Sequence, residues 1–507
     1  MEGNRVGNAS RNIFFGMFLK GYQIILPFIM RTAVGFYLGL SYMGLNSLFG
    51  SLLWMLSIAE LGVGSAMVYS MYKPIIDKDE KTICALLALY RKYYRIIGTV
   101  ILTVGIIITP FVPSLIKSDV PDDINIYVIY GLNLFCTIMT YWLFAYKNSL
   151  LIAHQRNDIG SKVMLVTNTA QYALQFVALA VFRDYYIYLI VAIVTQIATN
   201  IVTAILASKL YPNYQPKGEL DISVKKSINQ RIKDLFTMKL GIVIVSSSDS
   251  IVISAFLGLA ILGIYGNYYM ILTAAMGIVK VVFDSCMSGI GNSILEEDEE
   301  KNYIDLKKMT FIIAWLTGYC SVCLLCLIQP FVKIWQGEAR LLDLSIVICF
   351  VVYFFVDEIN QIFITYKDAA GIWHEDRFRP IVTALVNLSL NILTVNFLGL
   401  YGVILSTVVS VVFVGMPWIL HNLFTTLFKR SMREYVFKLL FYTVVTTFVS
   451  AACFLVCNMI TDTGILTLLL KGVICTVMSN VMFLLIYFKT KEYEQVKSLV
   501  KRIIKRA

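Results

Sequence analysis

Long apolar runs separated by short polar segments fill almost the whole chain. Fourteen of these runs are long enough to cross a hydrocarbon core of about 30 Å as a helix. They lie at 12–36, 42–70, 92–116, 125–151, 162–182, 185–209, 238–257, 262–292, 309–332, 343–368, 380–397, 401–427, 437–460 and 465–488. Their length and the lack of alternating ten-residue segments predict helices and not a barrel, because unpaired backbone is not tolerated in lipid.

Composition agrees with this pattern. Apolar residues make up 58% of the 507 residues, charged residues make up 15%, and the mean hydropathy is +0.75. A single soluble core cannot absorb such a composition. The connecting loops are short, so the sequence predicts an all-α polytopic membrane protein without a soluble domain.

The distribution of Lys and Arg predicts the orientation. With the N-terminus inside, 35 of the 43 fall on inner segments, four in outer loops and four within spans. The positive-inside rule therefore places both termini in the cytoplasm. The net charge of +11 follows from loops that face anionic lipid headgroups, and it calls for no nucleic acid.

Two pairs of segments indicate an internal repeat. "YLGLSYMGLN" (37–46) corresponds to "FLGLAILGIY" (256–265) at a shift of 219, and "YKNSLLIAHQR" (146–156) to "YKDAAGIWHED" (366–376) at 220. The shift predicts two six-helix lobes in the same orientation, with substrate bound between them near the midplane. The expected parts are an N-lobe at 1–210, a cytoplasmic linker at 211–237, a C-lobe at 238–428, a helix pair at 429–488 and a basic cytoplasmic tail at 489–507.

Charged side chains inside the spans are candidate functional residues, since each costs about 2.5–3.5 kcal/mol at the bilayer centre. In the first span Lys20 and Arg31 point the same way, with about 16 Å between them along the helix. We expect Arg31 to line a polar cavity. Lys20 either joins this basic stripe or snorkels to the inner headgroups.

Later spans add acidic groups. The repeat shift aligns Asp249, near the middle of the seventh span, with Met30. Arg31 and Asp249 therefore occupy nearly equivalent places on the first helices of the two halves, and we expect that they can face each other across the cleft. In the tenth span Asp357 is the expected inward group of "VDEINQIF". Lys280 and Asp284 of the eighth span are four positions apart, which favours a self-neutralising pair over a functional one.

Glu60 stands inside the second apolar run. Small residues follow it at Gly62, Gly64 and Ser65, so another helix can pack closely there. Two interpretations remain open. Glu60 is either a structural carboxylate held by backbone or a basic neighbour, which we favour, or a proton or sodium site.

The cysteines predict neither a metal site nor a disulfide framework. "CSVCLLC" carries Cys320, Cys323 and Cys326 at an iron–sulfur-like spacing, but it lies in an apolar helix. On a helix these thiols fan over about 120° instead of converging, so we expect them to pack as small apolar residues. No catalytic constellation is visible.

Four segments carry a resemblance to a known family: "AELGVGSAMVYSMYKPI" (59–75), "YLIVAIVTQIATN" (188–200), "SSDSIVISAFLGLAILGIYGNY" (247–268) and "NLSLNILTVNFLGLYGVILSTVVS" (387–410). Together they resemble Wzx-type polysaccharide (O-antigen or capsule repeat-unit) flippases of the multidrug/oligosaccharidyl-lipid/polysaccharide (MOP) exporter superfamily. The resemblance covers nearly the whole chain and implies fourteen helices, arranged as two lobes plus a pair.

This resemblance implies transport of an undecaprenyl-diphosphate-linked oligosaccharide from the inner to the outer leaflet. Arg31 and Lys20 would bind the diphosphate, and Asp249, Asn267 and Asp357 would hydrogen-bond sugars. No cofactor is implied, and coupling to Na⁺ or H⁺ is left open. The expected partners are the lipid-linked glycan, membrane lipids, a polysaccharide polymerase and glycosyltransferases.

Three alternatives remain beside this function. A lipid II flippase would share the same architecture, and so would a cation-coupled multidrug exporter, although the basic first span disfavours the exporter. A membrane enzyme of polysaccharide assembly belongs to a different class. It would need an outer loop or a catalytic His/Asp set, and neither is visible in the sequence.

Overall fold

The computed structural model describes residues 21–117, 120–462 and 464–504. These residues form helices joined by short connections, with no strand among them. They belong to two compact units, unit 1 up to Gly263 and unit 2 from Ile264 onward.

Unit 1 holds the helices of the first half of the chain. They are α1 (21–37), α2 (Leu40–Leu56), α3 (Val63–Asp77), α4 (Glu80–Ile108), α5 (Ile126–Trp142), α6 (Asn148–Ala153), α7 (Asn157–Val177), α8 (Tyr185–Leu210), α9 (Ile222–Leu257) and the first turn of α10 (Leu259–Glu296). Unit 2 holds the rest of α10, α11 (Glu299–Gln336), α12 (Leu344–Ala369), α13 (Arg379–Leu398), α14 (Leu400–Ser410), α15 (Met416–Thr426), α16 (Arg433–Asn458), α17 (Ile465–Tyr487) and α18 (Lys491–Ile504).

The helices have membrane-spanning dimensions. Among the described residues, twelve helices are long and apolar enough to cross a bilayer, and a bent pair formed by α5 and Ala145–Ala153 makes a thirteenth. Large apolar side chains such as Phe397 and Leu466 are almost fully exposed, as expected of residues that face lipid. The prediction of an all-α polytopic membrane protein is confirmed. The beginning of the first predicted span, 12–20, lies outside the described residues.

Two predicted continuous spans are broken. α2 continues as a 3₁₀ turn over Ser57–Glu60, and the chain is redirected at Gly62, whose φ of 89° lies in the left-handed region, before α3 begins. In the fourth predicted span, α5 and Ala145–Ala153 meet at an angle of 44°. The apolar pattern runs through both breaks because hydropathy reports immersion in lipid and not backbone dihedral angles.

The predicted linker is shorter in the structure. Its second half belongs to α9, which begins at Ile222 and continues through the seventh predicted span. α9 packs against α2 and α3, so it belongs to unit 1, and the units divide after Gly263 instead of within 211–237. The polar residues of 222–237 extend the helix without adding to the apolar run. Most of the predicted tail also forms a helix, α18, which packs on α11.

The first repeat pair is visible in the backbone. Gly39 precedes α2 with φ of 108°, and Gly258 precedes α10 with φ of 99°. Both conformations are easily reached only by glycine. The 219-residue shift therefore relates two helices that begin in the same way.

A symmetric crossing follows one turn later. A Cβ on Gly44 would lie 2.1 Å from the carbonyl oxygen of Leu259, and a Cβ on Gly263 would lie 2.6 Å from that of Leu40. The same shift of 219 relates the two glycines and the two leucines. Each helix thus presents a glycine to the backbone at the start of the other.

The loops of the second repeat pair each hold a buried aspartate beside an arginine, although the shift of 220 aligns Asp376 with Arg156 and not with Asp158. After the fourth predicted span, the fully buried Asp158 accepts a hydrogen bond from Arg156 (2.9 Å). After the tenth, the buried Asp376 accepts two from Arg379 (2.7 and 2.9 Å), and Lys367 Nζ lies 3.7 Å away. In both loops an arginine thus holds a buried aspartate through charge-assisted hydrogen bonds, which are stronger than hydrogen bonds between neutral groups.

Candidate functional site

Arg31 of α1 is held, half-buried, inside unit 1. Its Nη1 donates to Ser47 Oγ (3.3 Å) and its Nη2 to the carbonyl oxygen of Gly263 (2.9 Å). The guanidinium thus joins α1 to α2 and to the start of α10, where Gly44 and Gly263 form the symmetric crossing. Both acceptors are neutral, so these two contacts orient the guanidinium without cancelling its charge.

Tyrosine and amide groups adjoin Arg31. Tyr185 of α8 donates to Asn46 Oδ1 (2.9 Å), and Tyr188 also forms a hydrogen bond with Asn46. The Tyr188 hydroxyl lies within electrostatic range of Arg31. The asparagine directly precedes Ser47, so one turn of α2 supplies both polar contacts.

A second cluster of polar side chains lies between α1 and α7. The Tyr22 hydroxyl is 2.6 Å from Thr169 Oγ1, and the rings of Tyr22 and Tyr172 are 6.4 Å apart. Gln171, which also lies on α7, accepts a hydrogen bond from Thr195 of α8 (3.1 Å). The sequence analysis does not single out these residues, because they are uncharged, although "TNTAQYALQ" (167–175) places five polar side chains in one predicted span.

Two other residues that were predicted to act together with Arg31 are Lys20 and Asp249. Lys20 lies outside the described residues. Asp249 is half-buried on α9 in unit 1. The predicted apposition of Arg31 and Asp249 therefore stays a prediction.

Glu60 lies at the break that separates α2 from α3. Its Oε1 accepts a hydrogen bond from Tyr94 of α4 (3.2 Å), whose hydroxyl in turn accepts one from Tyr90 (2.8 Å). The backbone amide of Gly64 also hydrogen-bonds the carboxylate, and Lys239 of α9 lies within electrostatic range. The structural interpretation of Glu60 stays a prediction, and the contacts with Tyr94 and the Gly64 backbone support it.

Close packing at the small residues near Glu60 is also present. A Cβ on Gly62 would lie 2.6 Å from Leu235 Cβ and 3.2 Å from the carbonyl oxygen of Ile232. α9 therefore packs directly on the break. Lys239 also lies on α9, so this contact fixes its position relative to Glu60.

In unit 2, Lys280 and Asp284 of α10 lie as their spacing predicts. Lys280 Nζ is 4.0 Å from the Asp284 carboxylate, and the two side chains are 60% and 56% exposed. A pair this exposed in the middle of a span needs water or protein beside it and not lipid.

The remaining predicted residues of unit 2 differ in burial. Asp357 of α12 is half-buried, whereas the next residue, Glu358, is buried and within electrostatic range of Lys280. Asn267 of α10 is fully buried, which does not fit direct contact with a sugar in this conformation. Asp357 stays a candidate for substrate contact.

Comparison with known proteins bears on this architecture. The family described as polysaccharide biosynthesis protein matches residues 9–286, more than half of the chain. None of the curated protein sequences is significantly similar to the chain.

Several solved structures share its fold. The lipid II flippase MurJ in an inward closed conformation has a TM-score of 0.68 at 15% identity, covering 94% of this chain and 99% of that chain. An inward-facing multidrug resistance MATE family transporter of the MOP superfamily has a TM-score of 0.60 at 13% identity, covering 79% and 93%. A mutant of the Vibrio cholerae MATE transporter VcmN has a TM-score of 0.57 at 14% identity, covering 84% and 99%.

At sequence identities of 13–15%, the similarity to solved structures establishes only the fold. The family match over residues 9–286 establishes family membership. The chain is a member of the polysaccharide biosynthesis protein family and has the polytopic helical fold of the MOP-superfamily transporters.

Proposed function

We propose that the protein is a flippase that moves undecaprenyl-diphosphate-linked oligosaccharide repeat units from the inner to the outer leaflet of the cytoplasmic membrane. Family membership and the transporter fold support this role. The distribution of Lys and Arg supports cytoplasmic termini. Alternating access between the two lobes follows from the parallel repeat.

Arg31 carries this proposal. A diphosphate needs a cation with several donors, and a guanidinium can bind phosphate oxygens through two parallel hydrogen bonds. The group is half-buried within a membrane protein, where a cation is retained only for a specific use. Ser47 and Gly263 help to fix its orientation by accepting hydrogen bonds from its two terminal nitrogens.

The surroundings of Arg31 suit a glycan. Hydroxyl and amide groups from Asn46, Tyr188 and Thr169 belong to the same unit and can exchange hydrogen bonds with sugar hydroxyls. Tyrosine rings add flat apolar surface that ends in a polar hydroxyl. Asp249 and Asp357 are proposed as further acceptors for sugar hydroxyl groups.

Transport in proteoliposomes tests the proposal. A labelled polyprenyl-diphosphate oligosaccharide is supplied in one leaflet, and its arrival in the other is scored with a glycosidase that cannot cross the membrane. Arg31→Ala should slow transport about tenfold or more, since a hydrogen bond to a charged group contributes about 1.5–3 kcal/mol. Arg31→Lys should keep partial transport because the charge survives. Lys209→Ala, which removes an exposed cation at the end of α8, is the matched control.

Two outcomes would reject the assignment. Near-normal transport by Arg31→Ala would show that the guanidinium does not bind substrate. Restored transport in an Arg31→Ala/Asp249→Ala double variant would show that the two residues are a permanent ion pair. Binding of diphosphate by Arg31 predicts instead that the double variant stays inactive while it still inserts and folds.

Substrate competition separates the alternative functions. Preferential transport of labelled lipid II would identify a lipid II flippase. Movement of cationic drugs without movement of the glycan would identify a drug exporter. Lengthening of the glycan would identify a membrane enzyme of polysaccharide assembly.

A further inference from the structure

Three buried thiols meet where α11 packs against α16 and α17 in unit 2. The Sγ atoms of Cys326, Cys457 and Cys475 all lie within 4.8 Å of one another, and those of Cys457 and Cys475 are 3.7 Å apart. The three residues are 4%, 2% and 0% exposed. Each belongs to a different helix, so the fold brings together thiols that no local spacing connects.

The size of this triangle suits a three-coordinate metal. With a metal–sulfur bond of about 2.3 Å, three sulfurs in a plane around the ion are separated by about 4 Å. Small side-chain movements would therefore place a cation at the centre. A disulfide would require two sulfurs at about 2.05 Å, which leaves the third thiol without a role.

A buried cation adjoins the triangle. Lys471 lies one turn before Cys475 on α17, is only 9% exposed and is within electrostatic range of the Cys457 thiol. None of the carboxylates that the structure describes forms an ion pair with it. A buried ammonium inside a span is costly, and neighbouring thiolates would offset its charge.

We propose that Cys326, Cys457 and Cys475 form a binding site for Cu(I). Thiolates select soft ions such as Cu(I), whereas structural zinc takes four ligands, and no fourth His, Cys, Asp or Glu joins the triangle in the described parts of the chain.

Charge and proton balance support a monovalent ion. Cu⁺ held by two thiolates and one thiol carries a single negative charge, which the Lys471 ammonium balances. Binding releases two thiol protons to solvent, one from each sulfur that becomes a thiolate, while the third sulfur stays a neutral thiol ligand. The bound ion would fasten the C-terminal helices α16 and α17 to α11, independently of substrate transport.

Copper binding to the purified full chain tests this site. The protein is kept free of oxygen, loaded with Cu(I) in competition with bathocuproine disulfonate, and analysed by elemental analysis and X-ray absorption. We expect one copper per chain with sulfur neighbours at about 2.3 Å. Cys326→Ser, Cys457→Ser and Cys475→Ser should each release the copper, whereas Cys320→Ser on the same helix α11 should keep it. Lys471→Met should weaken retention several-fold at unchanged stoichiometry.

The same experiment can overturn the proposal. Equal copper in wild type and in a variant with all three cysteines replaced by serine would reject it, and so would oxygen or nitrogen neighbours in place of sulfur. Zinc retained in preference to copper would also reject it. If a serine variant does not fold, N-ethylmaleimide labelling of the wild-type chain in mild denaturant replaces it. Copper should then protect these three thiols and leave Cys320 reactive, and equal labelling with and without copper would reject the site.

Discussion

The second helix of each repeat begins in the same way and ends differently. α2 and α10 both follow a positive-φ glycine and both carry a glycine at the crossing five residues later. α2 then ends at the break beside Glu60, whereas α10 runs without interruption to Glu296. The shift of 219 places Val281 where the first repeat has Gly62. One residue that reaches the left-handed region thus separates a broken helix from a continuous one.

The two helices also compensate their membrane charges in different ways. Glu60 meets a hydroxyl from another helix, that of Tyr94 at 3.2 Å. Lys280 meets Asp284 one turn away on its own helix at 4.0 Å. The break allows the carboxylate to use tertiary partners, while the continuous helix supplies a local one. Glu60 should therefore depend on the fold, and the Lys280–Asp284 pair should not.

The largest expected effect comes from giving α2 the residue of the second repeat. Gly62→Val places a branched side chain at a φ of 89°, where strain costs about 1–2 kcal/mol. Its Cβ would also meet Leu235 Cβ at 2.6 Å, and such overpacking costs about 1–3 kcal/mol. The folded yield and the thermal unfolding temperature of the purified protein should fall sharply.

Gly289→Ala on α10 is the control for this change. A Cβ there meets nothing within 4 Å, so stability should stay equal or rise by about 0.5–1 kcal/mol, since alanine favours helix over glycine. If Gly62→Val unfolded at the wild-type temperature, the break would not be needed for the fold.

The next effect tests the symmetry of the crossing. Gly44→Ala and Gly263→Ala each push a methyl group against a carbonyl oxygen of the other helix, at 2.1 and 2.6 Å. Each should lower stability by about 1–3 kcal/mol, because backbone must shift. Gly50→Ala on α2, where a Cβ meets nothing within 4 Å, should not. A loss in only one of the two glycine variants would argue that the crossing is not shared equally by the repeats.

The sequence predicts the elements of both repeats better than their breaks and contacts. The apolar runs alone predict the ends of α8 and α12 to within one residue, because the thickness of the lipid sets both the length of the apolar run and the length of the helix. The break at Gly62 was missed since glycine in a span serves close packing and left-handed turns equally well. Arg31 was singled out by its charge, but its contacts with Ser47 and Gly263 depend on tertiary structure.

The cysteines show the same limit. Helical spacing indicates that Cys320, Cys323 and Cys326 do not converge on one another, but no local pattern shows that Cys326 meets thiols more than 100 positions away. Periodicity describes a helix and its faces, and a site between helices needs the packing itself.

A smaller effect is expected at Glu60. Glu60→Gln keeps an oxygen that can accept the Tyr94 hydrogen bond, so folding should change little. Glu60→Ala removes the acceptor and should lower stability by about 1–3 kcal/mol. Tyr94→Phe, which leaves the carboxylate but removes this donor, should give an intermediate loss. The structural interpretation would fail if Glu60→Gln folded normally yet lost a measured proton or sodium dependence of transport.

The smallest effect is expected for the ion pair on α10. Lys280 and Asp284 are more than half exposed, and exposed pairs one helical turn apart contribute about 0.2–0.5 kcal/mol. Lys280→Gln, Asp284→Asn and the double variant should therefore unfold within about 0.5 kcal/mol of wild type, and all three should transport the lipid-linked glycan at near-normal rates. Equal behaviour of single and double variants would show that the pair only neutralises itself. Loss of transport in Lys280→Gln alone, at normal folded yield, would instead show that this lysine acts on Glu358 or on the substrate, and that α10 uses charge for function where α2 uses it for folding.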